Sequence, residues 1–116
     1  MNIQIFGTKK CFDTKKAERF FKERKIKYQL IDLNEKEMSK GEFNNICKAV
    51  GINELINEKA KDYGKSNLSS IRSGDVKAEV LLKNQKIIKT PIVRNGKKAT
   101  VGVDLETWNK WIEDEK

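Results

Sequence analysis

Cys11 is the residue of this chain best placed to do chemistry. It stands in the stretch Gly7-Thr8-Lys9-Lys10-Cys11-Phe12-Asp13-Thr14, after the apolar run Ile3 to Phe6 and before a long helical pattern. Its sulfur is therefore expected at a strand-to-helix junction. The backbone N–H groups of a first helical turn lack intrahelical partners, and the helix dipole adds partial positive charge there. Both favour thiolate over thiol, and Lys9 and Lys10 are expected to push the same way. Asp13 opposes them, because a neighbouring negative charge raises a thiol's pKa. The balance predicts a cysteine more acidic than a free thiol. A cysteine can also be a small apolar packing residue, but a glycine-led, lysine-rich loop is the setting of a reactive one. Cys47 is the other cysteine. It falls on an apolar helical stripe, where packing is its ordinary role.

Composition removes several alternatives. The chain contains no His, and its two Cys supply neither a zinc site nor a disulfide framework. A Cys–His hydrolase pair is excluded on the same ground. The 116 residues, 37% hydrophobic and 36% charged, suit one soluble domain with a heavily charged surface. No run has the length of a membrane span and no apolar segment with a cleavage site opens the chain, so a cytoplasmic location is expected. The net charge of +8 is concentrated early: nine Lys/Arg against three Asp/Glu fall in residues 1–27. A basic surface around the Cys11 loop is thus expected, able to draw in an anionic substrate, a nucleic acid or an acidic protein face. The aromatics are not interleaved with these lysines for stacking, which argues against direct nucleic-acid binding.

The elements that must position Cys11 follow from periodicity. Ile3 to Phe6 reads as a short buried strand ended by Gly7. Ala17, Phe20 and Phe21 recur at helical spacing between Phe12 and about Lys25, and Lys27 to Leu33 reads as a second strand. Strand, helix and strand at this length predict a right-handed βαβ unit with parallel strands, Cys11 lying at the carboxyl end of the first. After a charged connection, Ser39 and Glu42 form a capping box for a helix that buries Phe43, Ile46, Cys47 and Val50 and ends at Gly51. A short helix is expected over 52–57. Lys65 to Ser73, with few apolar anchors, is the expected mobile loop. A helix over about 75–84 is expected to bury Val76, Val80 and Leu81. Ile87 to Arg94 and Lys97 to Val103 are β-prone runs joined by Asn95-Gly96, a strong hairpin signal. Pro91, the only proline, marks a strand's first residue, an edge or a cis bond. Asp104 caps a last helix whose stripe is Leu105, Trp108, Trp111 and Ile112.

This order, with a cysteine at the first helix N-terminus and a proline opening the third strand, is thioredoxin-like. Over nearly its whole length the chain resembles the arsenate reductase-like family, which includes ArsC, the regulator Spx and the YffB group. The likeness is carried by Ile5-Phe6-Gly7-Thr8-Lys9-Lys10-Cys11-Phe12-Asp13-Thr14-Lys15-Lys16-Ala17, by Thr90-Pro91-Ile92-Val93 and by Thr100-Val101-Gly102. A Cys followed by Asp-Thr and Lys-Lys-Ala is most similar to the YffB group. The resemblance implies one α/β domain over 1–116 with a four-stranded mixed sheet (βαβ, then ββα) and a helical insert at about 35–86. It makes Cys11 the redox nucleophile and Pro91 a cis-proline facing it. Thr8, Lys9, Lys10, Thr14, Thr90 and Pro91 would contact the substrate or resolving thiol.

The departures shape the expected activity. Family members that reduce arsenate hold the oxyanion with arginines, one directly before the cis-proline. Thr90 occupies that position here, and lysine lacks the bidentate fork suited to such an oxyanion. The Cys-x-x-Cys switch of Spx has Thr14 in place of its second cysteine. The expectation is therefore a thiol-disulfide oxidoreductase of glutaredoxin type. Cys11 attacks a disulfide, of a glutathione-type thiol or of a protein, and glutathione or another low-molecular-weight thiol resolves the mixed disulfide as co-substrate, with no bound cofactor or metal. The alternatives are a Spx-like regulator that binds RNA polymerase and an arsenate reductase.

Overall fold

The computed structural model describes residues 1–115. Strand β1 (Ile3–Gly7) leads into helix α1 (Phe12–Glu23) and then β2 (Tyr28–Asp32). A mostly helical segment follows: α2 (Lys40–Val50), α3 (Ile52–Leu55), α4 (Tyr63–Ser66) and α5 (Gly74–Lys83). The chain closes with β3 (Ile92–Asn95), β4 (Lys98–Val101) and α6 (Leu105–Asp114). The sheet order is β2-β1-β3-β4, with β1 and β2 parallel and the other pairs antiparallel. This is a thioredoxin-like fold, as the order of elements predicts.

The pleat of β1 sorts the core into two layers. Ile3 and Ile5 point to the face covered by α1 and α6, where they meet Ala17, Phe20, Phe21, Val93, Trp108 and Trp111. Phe6 and Ile92 point the other way, onto Phe43, Ile46, Leu55 and Leu81 of the helical segment. Successive strand residues face opposite sides, so a sheet covered on both faces needs apolar residues in sequence, as in Ile5-Phe6 and Ile92-Val93. The buried Trp108 indole N–H donates to Thr100 Oγ1 at 2.8 Å, which satisfies its polar end. Gln85 does similar work on the far face. Its side chain accepts from Met38 N–H at 2.7 Å and donates to Met38 O at 3.0 Å, tying the connection after β2 to the segment before β3.

Local signals govern the ends of the elements. Ser39 and Glu42 make the reciprocal capping box of α2, and Gly51 (φ 88°) ends that helix. Asp104 Oδ1 accepts from Thr107 N–H at 3.1 Å at the start of α6. Several expectations are corrected. Helix α1 stops at Glu23 rather than Lys25, because Lys25 adopts a left-handed φ of 58° that a helix cannot continue. Ile87 closes a 3₁₀ turn (Gln85–Ile87) instead of opening a strand, and Ile88 bridges to Ile56 outside the sheet. Val76 and Leu105 lie on exposed flanks of their helices, at 44% and 51% exposure, while Leu81, Trp108 and Trp111 carry the burial. Cys47 and Val50 are only half-buried against the larger core layer. Residues 65–73, expected to be a loop with few apolar anchors, contain buried Leu68 and a short 3₁₀ turn, Leu68–Ser70.

Candidate active site

Cys11 is the N-cap residue of α1, with an extended backbone (φ −84°, ψ 115°). Its N–H donates to Thr8 O at 3.2 Å and its carbonyl accepts from Lys15 N–H at 3.3 Å, so the sulfur sits where the strand hands over to the helix. The Thr90–Pro91 bond is cis, and Thr90 lies against the sulfur. Thr90 Oγ1 donates to Cys11 Sγ at 3.2 Å, and the thiol donates to Thr90 O at 3.7 Å. The first contact strengthens when the proton leaves and the second is lost with it.

Burial pushes the Cys11 thiol pKa up, but donors aimed at the sulfur outweigh it. They are the hydroxyls of Thr14 and Thr90 and the backbone N–H groups of Thr14 and Asp13, and the net pKa lies below the ordinary thiol value. The acidity expected from the sequence is present, and the first-turn backbone N–H groups contribute to it as expected, but the threonine hydroxyls stand where the lysines were expected to act. Lys9 Nζ instead pairs with Glu35 Oε1 at 3.3 Å, and Asp13 pairs with Lys16 at 3.8 Å while lending its backbone N–H to the sulfur. Cys47 differs, since burial alone raises its pKa.

Thr14 requires a change of role. It was expected among residues touching the substrate or thiol, yet it is only 1% exposed and its side chain packs where a Cβ on Gly7 would be. Its Oγ1 is buried with no hydrogen-bond partner among the described residues. A buried hydroxyl without a partner is costly, and this one is among the causes that lower the Cys11 pKa. Thr14 is therefore packed beneath the nucleophile and sealed from substrate.

A groove of about 680 Å³ opens beside the sulfur. Cys11 and Asp13 form one wall, the Asn53-to-Lys59 segment the other, and Lys89, Thr90, Val101 and Gly102 complete it. Three carboxylates (Asp13, Glu54, Glu58) face two lysines (Lys59, Lys89), so the groove is of mixed charge in a basic protein. None of its lining residues is an arginine. Arg94 is held at the far end of the sheet by Asn45 Oδ1 (3.0 Å), Gly96 O (3.1 Å) and Gln4 Oε1 (3.1 Å). Arg24 lies over the Phe20 ring, 3.8 Å from its centroid. A second cavity of about 690 Å³ meets the groove at Thr90 and takes in Thr8, Glu35, Lys83 and Lys86. Thr90 lines both cavities and Thr8 only the second; Lys9 and Lys10 are exposed and line neither, and Pro91, also expected to contact the substrate, is buried and lines neither. The groove wall residues Glu54, Glu58 and Lys59 were not singled out from sequence. They belong to the helical insert, and no local pattern ties them to Cys11.

A thioredoxin-like sheet with an acidified thiol capping its first helix and a cis-proline loop against the sulfur is the framework of thiol-based redox proteins. The family model for ArsC matches residues 6–111, and the chain belongs to the ArsC family. An arsenate reductase from Vibrio cholerae is similar in structure, with a TM-score of 0.83 at 23% identity over 95% of this chain and 97% of that one. A protein from Staphylococcus aureus is similar with a TM-score of 0.78 at 28% identity, covering 93% of this chain and 96% of that one. An ArsC family related protein from Bacteroides fragilis gives a TM-score of 0.82 at 21% identity, covering 95% and 97%. No curated protein sequence is significantly similar to the chain. Among the described residues no helix is long and apolar enough to cross a membrane, and no cluster of His, Cys, Asp or Glu could hold a metal ion.

Proposed function

We propose that this protein is a cytoplasmic thiol-disulfide oxidoreductase of glutaredoxin type, working through Cys11 alone with glutathione or a similar small thiol as co-substrate. The observation that carries this reading is the pairing of a sulfur acidified by fixed donors with the absence of a thiol one turn along the helix, where Thr14 stands. An acidified lone thiol attacks a disulfide and then waits for an outside thiol to release it. The groove supports a zwitterionic co-substrate. A peptide-like thiol with one ammonium and two carboxylates has partners in the Asp13, Glu54 and Glu58 carboxylates and in Lys59 and Lys89. An extended substrate can also pair with the Thr90 backbone as an added strand, which brings its sulfur to Cys11.

The same charges disfavour arsenate. A tetrahedral oxyanion needs a concentration of donors such as bidentate arginine, and this groove offers carboxylates and two lysines instead. The regulator reading, with RNA polymerase as partner, requires no turnover, and an activity assay separates it. The test is reduction of the mixed disulfide of glutathione and cysteine by glutathione. Turnover is expected with a trapped Cys11–glutathione adduct by mass spectrometry, Cys11→Ser is inactive, and Cys47→Ala retains most of the rate. Failure to form the adduct overturns the reading, and loss of turnover in Cys47→Ala makes Cys47 a resolving thiol.

A further inference from the structure

The outer face of α1 carries a second feature beside the nucleophile. Phe12, Lys15, Lys16 and Arg19 follow one another at i, i+3, i+4 and i+7, so they form a single stripe that starts next to Cys11. All four are exposed, Phe12 at 78%, with Lys15 Nζ 5.9 Å from the Phe12 ring centroid. Nearby carboxylates leave most of this charge uncompensated. Asp13 reaches only Lys16, at 3.8 Å, and Glu18 accepts from Tyr28 Oη at 2.9 Å. Among the described residues Lys10, Lys15 and Arg19 have no salt-bridge partner.

One component of the stripe runs against local preference, because an exposed phenylalanine forgoes the burial that stabilises it elsewhere. An exposed aromatic followed by uncompensated cations, beside a nucleophile, suits recognition, since aromatic and arginine side chains are what interface cores favour. A one-signed cationic stripe selects an anionic face by steering. The groove, with its mixed charges, has no such preference.

We propose that this stripe is the docking surface for an acidic protein substrate, whose disulfide is thereby presented to Cys11. The proposal rests on the glutathione-dependent reading above and names its substrate as a glutathionylated protein cysteine in an acidic segment. The Cys11 thiolate attacks the glutathione sulfur, the Cys11–glutathione disulfide forms, and the protein–glutathione bond breaks to leave the protein thiolate. A second glutathione thiolate attacks that disulfide, which regenerates the Cys11 thiolate and releases oxidised glutathione. The protein cysteine is reduced and one free glutathione is oxidised, leaving joined to the former glutathionyl group as oxidised glutathione. The glutathionyl group occupies the groove while the protein lies along Phe12, Lys15, Lys16 and Arg19.

The test uses two glutathionylated peptides of equal length, one with Asp and Glu flanking the cysteine and one with Lys and Arg. The small glutathione–cysteine disulfide is the control. The acidic peptide should be preferred in kcat/KM by about tenfold at low ionic strength, with the ratio falling as salt is added. Lys15→Glu combined with Arg19→Glu should remove or invert the preference, and Phe12→Ser should slow the acidic peptide several-fold. The small disulfide should be turned over as before by each variant, which shows an intact fold. Equal rates for the two peptides, or a preference that survives the double variant, overturn the proposal. Fluorescence anisotropy with Ser-containing versions of the peptides and the Cys11→Ser protein reads the surface without chemistry. Tighter binding of the acidic peptide, without turnover of any disulfide, would sustain the stripe and sink the glutathione reading; equal binding would sink the stripe.

Discussion

Replacing Thr14 by Val separates the reactivity of Cys11 from the stability of the fold. Val keeps the shape of Thr and exchanges a buried hydroxyl for a methyl. In the thiolate form the mutation removes a donor to a charged sulfur, an interaction worth about 1.5–3 kcal/mol. Cys11 is only half-buried, so solvent screening places the loss at the low end of that range. One pKa unit corresponds to about 1.4 kcal/mol, so the Cys11 pKa should rise by about one unit. The Thr14 hydroxyl has no hydrogen-bond partner among the described residues, so, with no charged sulfur to stabilise, its removal relieves an unsatisfied polar group instead. The variant should then be as stable as the parent or more stable by about 1 kcal/mol at a pH below the Cys11 pKa. The expected result is thus a less reactive protein that is not less stable. Alkylation rate against pH, in a Cys47→Ala background, gives the pKa, and urea unfolding at low pH gives the stability. Thr14→Ser should keep the parental pKa. An unchanged or lower pKa in Thr14→Val would refute the assignment of this hydroxyl to the thiolate.

Iodoacetamide near neutral pH should label Cys11 well ahead of Cys47, since donors lower one pKa while burial raises the other; site-resolved mass spectrometry checks the order, and faster labelling at Cys47 would contradict it. Gly7→Ala should destabilise the protein by about 1–3 kcal/mol through overpacking, because the new Cβ meets the Thr14 side chain; it should also alter the Cys11 pKa, and chemical unfolding with the alkylation profile reads both. The pH dependence of stability has a defined sign. The folded-state Cys11 pKa is depressed below the thiol value of 9.0, so between the folded and unfolded pKa values the unfolded chain holds the extra proton and stability rises with pH. Measured in a Cys47→Ala background, that gain should be present above the unfolded pKa, fade as pH falls through the folded pKa, and be missing from a further Cys11→Ser variant.

The sequence by itself determined the elements whose signals are local. Ser39 with Glu42, Gly51, Asn95-Gly96 and Asp104 each mark a boundary through bonds made within a few residues, and the structure shows those boundaries. The apolar run Ile3 to Phe6 made a buried first strand legible, and the motif around Cys11 with Thr90-Pro91 made the family legible. The first-turn N–H groups that help acidify the sulfur were legible too, but only the tertiary structure decided which side chains join them. Lys9 and Lys10 are near Cys11 in sequence, but Lys9 turns to Glu35, while Thr90, seventy-nine residues away, places its hydroxyl 3.2 Å from the sulfur. It also decided that Thr14 is sealed beneath the nucleophile, and that Glu54, Glu58 and Lys59 give the groove its mixed charge. Helical and turn preferences act over a few residues and can be read from spacing. Donor geometry at a sulfur, the burial of one hydroxyl and the charge of a groove wall depend on where distant segments pack, and no local pattern encodes them.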